Sequence, residues 1–150
     1  MDMQTLDVAG GGVLLGGQPS PDELRWAASA GLRTVVNLRE ACEDAGFDEC
    51  ALVTSLGMEY WNLGFKDPDT LTDDVFDRCR LLMVDRSKVP LLLHCASANR
   101  VGAVWLAHRV LDCEVPYDDA LLDAVEVGLR TAAYAERARA YTERRMSLCR

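Results

Sequence analysis

Short unbroken apolar runs alternate along the chain with longer stretches in which apolar residues recur at helical spacing. The clearest run, Thr34-Val35-Val36-Asn37-Leu38, shows no apolar/polar alternation. That pattern predicts a strand covered on both faces. Further strands are predicted over 13–15, 58–63 and 90–94. Between the 13–15 and 34–38 strands, Ser20-Pro21-Asp22-Glu23 reads as a helix start: Ser20 caps, Pro21 suits the first helical position, and Glu23 closes a capping box. That helix carries Leu24, Trp26, Ala27 and Ala30 and ends at Gly31. Other helices are predicted over 44–56 with Gly57 as the stop, and over 72–85 with Thr72 as cap and Val75, Phe76, Cys79, Leu82 and Met83 at helical spacing. Three more fill the last third: one ending near Leu111, one from Pro116 to a stop at Gly128, and one over 131–146 with an alanine-rich and an arginine-rich side. Residues 1–12, ending in Gly10-Gly11-Gly12, read as a loose lead-in.

Alternating strands and helices with short connections predict an α/β domain spanning 1–150: a central, mainly parallel sheet with helices on both faces, and a helical C-terminal third. In such a sheet, ligands gather outside the carboxyl ends of the strands. The strands deliver Arg39, then Lys66-Asp67-Pro68-Asp69, then Cys95 to that edge, so polar residues far apart in sequence converge there.

Composition narrows the functional classes. The 49% apolar and 27% charged content is that of a globular chain, and no apolar run nears the ~18 residues of a membrane span. The acidic N-terminal stretch lacks the basic lead of a secretory signal, so the expected compartment is the cytoplasm. Sixteen basic against 24 acidic residues give a net charge of -8, which argues against nucleic acid or an anionic membrane as partner. The six cysteines show neither CxxC nor zinc spacing, so no metal is expected, and most are expected to be buried thiols. An anionic substrate would need a local positive site.

The stretch 89–105, VPLLLHCASANRVGAVW, offers one. It reads as a strand, an anion-sized loop of small residues and a helix start. Cys95 has three reasons to be a thiolate: backbone N–H groups, the helix dipole and Arg100. The same groups can cradle a tetrahedral anion, with the N–H groups from Ala96 to Val101 turned inward and Arg100 presenting a planar fork. His94 is expected to orient the loop by hydrogen bonding, and Ser97 and Asn99 to shape it. A general acid must come from another loop, and Asp67 and Asp69 stand on the right edge. Arg39 is a candidate for a second anion contact or a partner for Glu40.

His94-Cys95, the small-residue loop and Arg100 resemble the signature of the cysteine-dependent protein tyrosine and dual-specificity phosphatases. A closer resemblance, to the bacterial beta-lactamase-hydrolase-like phosphatase family, rests on GGQPSPDEL (16–24), GLRTVVNLRE (31–40) and HCASANRVGA (94–103), in the same order. It implies a phosphatase fold, Cys95 as nucleophile, Arg100 as phosphate ligand, Asp67 as the acid, no cofactor, and a phosphorylated protein or small molecule as substrate. The GQP segment makes Gln18 a candidate to face the pocket or to form a turn. The Cys95–Arg100 spacing is one residue shorter than in ordinary tyrosine phosphatases and matches many rhodaneses. This motivates two alternatives, a sulfurtransferase using the same thiolate and a catalytically weak anion- or partner-binding module. Ala98 replaces a glycine, which is expected to disfavour positive φ, and Val101 replaces a hydroxyl residue. Trp26, Trp61 and Trp105 are expected in the core or pocket wall and His108 in a structural role. Cys42 is a remote candidate for a resolving thiol, and the arginines of the last helix are expected to be solvated.

Overall fold

Within each inner strand, successive side chains enter two different cores. Val13 and Leu15, Val36, and Leu91 and Leu93 join the larger core, while Leu14, Val35 and Leu92 between them join the smaller one. This is the period of two of a strand buried on both faces. The computed structural model describes residues 3–6 and 12–148. Their elements are β1 (Met3–Leu6), β2 (Val13–Gly16), α1 (Pro21–Ser29), β3 (Thr34–Asn37), α2 (Glu49–Ser55), β4 (Glu59–Asn62), α3 (Asp73–Val84), β5 (Leu91–His94), α4 (Asn99–Leu111), α5 (Tyr117–Val127) and α6 (Ala132–Leu148). The sheet order is β1-β2-β5-β3-β4. β2, β5, β3 and β4 run parallel, and β1 pairs antiparallel to β2.

The smaller core lies under α1 and α2, which contribute Leu24, Ala27 and Val53. The larger one lies under α3 to α6. At its centre α4 buries every residue from Val101 to His108, so it is apolar nearly all round, as a fully enclosed helix must be. Gly102 permits this: a Cβ there would stand 2.6 Å from Leu129 Cβ. No described helix is long and apolar enough to cross a membrane.

The mainly parallel sheet with helices on both faces agrees with the expectation from the sequence, and so does the capping box of α1. Ser20 Oγ accepts from Glu23 N at 3.1 Å and Ser20 N donates to Glu23 Oε1 at 3.0 Å. Several details differ. The expected lead-in contains β1, whose pairing with β2 supplies the order that its local sequence does not; the lead-in residues 1–2 and 7–11 lie outside the described residues. The helix expected from Asp44 begins only at Glu49. Asp44 Oδ1 instead accepts from Gly46 N at 2.7 Å in a turn, Gly46 takes φ 85°, and Asp48 is the true cap, accepting from Ala51 N. Trp105 is buried, but Trp26 is largely exposed on α1. The arginines of α6 are not simply solvated: Arg137 and Arg144 pair with Asp73 of α3, and Arg145 pairs with Asp77.

Candidate active site

β5 ends in His94, and Cys95 follows at the carboxyl edge of the sheet, 1% exposed. The chain then turns through Ala96, Ser97 and Ala98 into α4. Its neighbours on the edge fix the start of the loop: Cys95 N donates to Gly16 O, and Gln18 N to Ala96 O, each at 3.3 Å. Gly17 admits this approach, since a Cβ there would stand 2.8 Å from Ala96 O. Ala98 adopts φ 68°, contrary to the expectation that alanine would avoid positive φ. The connector from α5 to α6 holds it there. Arg130 N donates to Asn99 Oδ1 at 2.9 Å, Arg130 Nη2 to Ser97 Oγ at 2.6 Å, and Asn99 Nδ2 to Thr131 Oγ1 at 2.8 Å.

These contacts place Ser97 and Asn99 as braces of the loop. They leave its interior open: none of the backbone N–H groups from Ala96 to Val101 donates to a described residue. The first backbone donor of this segment to find a partner is Gly102, which reaches Ala98 O at 3.0 Å. A run of unpaired N–H groups at the start of a thirteen-residue helix has the donors to cradle an anion. Val101 is buried and apolar, contributing only its N–H.

Arg100 is held by a residue the sequence reading missed. Its Nη1 and Nη2 donate to Glu43 Oε2 and Oε1 at 2.8 and 2.9 Å, and Nη1 also donates to Phe65 O at 2.9 Å. This uses both Nη1 hydrogens and one on Nη2. The Nε–H and the second Nη2–H remain, side by side on the other edge of the guanidinium, spaced for two oxygens of one oxyanion. Glu43 thereby sets which edge Arg100 presents. The hydrogen bonds from Arg100 bring the Glu43 carboxyl down to about 2; burial works against this, and the Glu40 N–H and Arg39 support it.

Behind this pair runs a chain of polar contacts. Arg39 donates to Glu43 Oε1 at 3.3 Å, to Gln18 Oε1 at 2.6 Å and to Asp44 O at 3.2 Å. Gln18 Nε2 donates to Glu49 Oε1 at 2.6 Å, and Glu49 Oε2 meets His94 Nε2 at 2.6 Å. His94 is fully enclosed, with Nδ1 3.4 Å from Cys95 O. Arg39 therefore pairs with Glu43 rather than Glu40, and neither Gln18 nor Arg39 lines the cleft that holds Arg100 and Asp67. Cys42 lines a second cleft, with Arg39 and Cys50.

The cleft above the loop, about 530 Å³, is lined by Glu43, Lys66, Asp67, Ser97, Arg100 and Tyr134, among others. Asp67 lines it, whereas Asp69 is exposed outside it. The Asp67 carboxylate accepts from Thr70 N at 2.9 Å and Thr70 Oγ1 at 3.1 Å. The Thr70 backbone N–H holds it below the usual carboxylate range, with lesser help from the Thr70 hydroxyl and Lys66. Among the described residues, no cluster of three His, Cys, Asp or Glu side chains could hold a metal ion. His108 is bonded to Asp112 at 2.9 Å, far along α4 from the loop. Cys79 lies in the core, where burial pushes its thiol up to about 12.

Neither Glu43 nor Tyr134 stood out in the sequence. Glu43 fell inside a stretch read as the approach to a helix, although its place just after β3 at the carboxyl edge was a usable signal. Tyr134 reads as an ordinary core position of α6.

No family profile matches the chain, and no curated protein matches it in sequence. Solved structures do resemble it. A DUF442 protein from Shewanella putrefaciens CN-32 superposes with a TM-score of 0.71 at 20% identity, over 93% of this chain and 92% of that one. Tk-PTP in its active form gives 0.77 at 20%, over 88% and 92%. The core catalytic domain of the PP-IP phosphatase SIW14 from S. cerevisiae gives 0.74 at 12%, over 87% and 81%. With its parallel strands, flanking helices and cysteine loop at the sheet edge, this chain has the fold of the protein tyrosine phosphatase-like proteins.

Proposed function

We propose that this chain is a cysteine-dependent, dual-specificity-type phosphatase that hydrolyses a phosphomonoester through a phospho-Cys95 intermediate. The observation that carries this reading is that Cys95, at the end of β5, is followed directly by the unpaired N–H groups from Ala96 to Val101 and lies close enough to Arg100 to bear on its charge, while Arg100 keeps its Nε/Nη2 edge open. These donors suit the equatorial oxygens of a phosphoryl group in transit, where charge stabilisation counts most. The three segments 16–24, 31–40 and 94–103 support a place in the beta-lactamase-hydrolase-like group of this fold.

In the first step the Cys95 sulfur attacks phosphorus. The S–P bond forms as the P–O bond to the leaving group breaks, and Asp67 gives the departing oxygen its proton. In the second step water attacks the phospho-cysteine, passing a proton to Asp67. The S–P bond breaks, and phosphate and the thiolate are released. Asp67 is held low in the free site, but an arriving phosphate dianion in the same cleft disfavours its ionisation and raises it towards the role of acid. Asp69 is the second candidate for that role.

Release of an aryl alcohol from a generic aryl phosphate tests the reading. Cys95→Ser is expected to fall to background, and equal rates for the two proteins would remove the catalytic claim. Asp67→Asn is expected to slow substrates with poor leaving groups most, whereas an equal loss with good leaving groups would take Asp67 out of the role. The short Cys95–Arg100 spacing favours a second reading, sulfur transfer through a Cys95 persulfide. Thiosulfate would then add one sulfur to Cys95 by mass, and cyanide would release it as thiocyanate. The buried, apolar Val101 favours a third, a weak anion- or partner-binding module, in which oxyanions raise the melting temperature while turnover stays at background.

A further inference from the structure

Tyr134 brings to the cleft beside Arg100 a phenol with no hydrogen-bond partner among the described residues. It sits in the first turn of α6, only 5% exposed, and lines the cleft that holds Arg100 and Asp67. Its ring packs edge-on against Phe65, with centroids 5.9 Å apart. The carbonyl of Phe65 is one of the acceptors fixing Arg100, so the same residue positions both side chains. The neighbouring hydroxyl oxygens of Ser97 and Thr131 accept from Arg130 and Asn99. The Tyr134 phenol makes no hydrogen bond with any described residue, and its oxygen is not one of the fully enclosed unsatisfied atoms, so it opens on the cleft. The hydroxyl is therefore free to exchange a cleft water for a ligand oxygen, and donation to a charged oxyanion is the stronger of the two bonds.

We propose that Tyr134 is a substrate-contacting residue of this site, its phenol O–H donating to an oxygen of the tetrahedral oxyanion held above Cys95. This deepens the phosphatase reading and rests on it. Burial, opposed by Arg100 and reinforced by Asp67, Cys95 and Glu43, raises the phenol above its ordinary range, which keeps the hydroxyl proton in place as a donor. The contact comes from α6, whereas the amides come from the Cys95 loop and the start of α4, which also carries Arg100, so the oxyanion is held from two sides. It also supplies a hydroxyl on a site where Val101 provides none.

Tungstate is the probe, titrated by calorimetry into the wild type, Tyr134→Phe and Arg100→Ala, together with kcat and KM for an aryl phosphate. Phenylalanine keeps the ring and its packing on Phe65. Tyr134→Phe is expected to bind tungstate about 10-fold more weakly and to lose a similar factor in kcat/KM, with an anion-free melting temperature within about 2 °C of wild type. Unchanged tungstate affinity in Tyr134→Phe, with Arg100→Ala binding none, would overturn the role of Tyr134 and leave the phosphatase reading standing. Weaker binding accompanied by a large fall in the anion-free melting temperature would assign Tyr134 to packing and overturn the proposal. A wild type that binds no tungstate, or binds it no better than Arg100→Ala, would overturn both.

Discussion

Glu49 stands at the first position of α2, 5% exposed at its side chain, with His94 fully enclosed on one carboxylate oxygen and Gln18 on the other, each at 2.6 Å. Glu49→Ala removes an acceptor from two donors at once. The enclosed His94 nitrogen has no water to turn to, and an unsatisfied buried donor is unfavourable by ~1–3 kcal/mol. Gln18 is only partly buried and already reaches Pro19 O at 3.1 Å, so its share is smaller, ~1 kcal/mol or less. The acidic residue in the first turn of α2 adds a few tenths. The sum is about 3 kcal/mol, at the lower end of what removing one member of a buried pair costs. In a domain of this size that corresponds to a drop of ~6–12 °C in melting temperature. Urea unfolding followed by tryptophan fluorescence measures it directly. Glu49→Gln retains one acceptor for the enclosed His94 and gives up only the smaller Gln18 share, since Arg39 fixes the Gln18 amide oxygen, so it is expected to keep more than half of the lost stability. A loss below about 1 kcal/mol in Glu49→Ala, or an equal loss in both variants, would refute the assignment of Glu49 as the post on which His94 rests.

Two further outcomes follow from the loop. Ala98 at φ 68° carries the penalty of a Cβ in the left-handed region, so Ala98→Gly is expected to stabilise the chain by ~0.5–1 kcal/mol, seen as a higher midpoint in the same urea titration. Glu43 has its carboxyl lowered from 4.5 to about 2 by Arg100, so its stabilising contribution is full above pH 4.5 and is lost as pH falls towards 2. Stability measured from pH 6 to pH 2 should therefore fall less steeply in Glu43→Gln than in the wild type, and parallel curves would remove Glu43 as the source.

The inner strands were legible because an apolar run bounded by polar residues has one stable place, between two helical layers. The cysteine loop was legible because strand, small residues and helix start follow one another locally. β1 was not, since an antiparallel edge strand gains its order from the strand it pairs with. Helix periodicity over 44–56 hid the turn at Asp44 and Gly46, and with it Glu43, whose role depends on where Arg100 arrives 57 residues later. Ala98 shows the opposite error: local preference disfavoured the left-handed conformation, and the braces from Asn99 and Arg130 imposed it. Tyr134 reaches the cleft only because α6 packs on α4, a fact with no local signature.

Gln18 carries a consequence of its own. It touches Glu49 through its nitrogen and Arg39 through its oxygen, and Arg39 in turn touches Glu43. The support of His94 and the support of Arg100 are therefore one mechanical unit, and substitutions in it act epistatically. Once Gln18 is lost, changing Glu49 and changing Glu43 no longer disturb each other, whereas with Gln18 present the double variant departs from the sum of the two single ones. Sequence drift at this site is thus expected to proceed by paired exchange across the network, with Gln18 as the position that decides which pairs are viable.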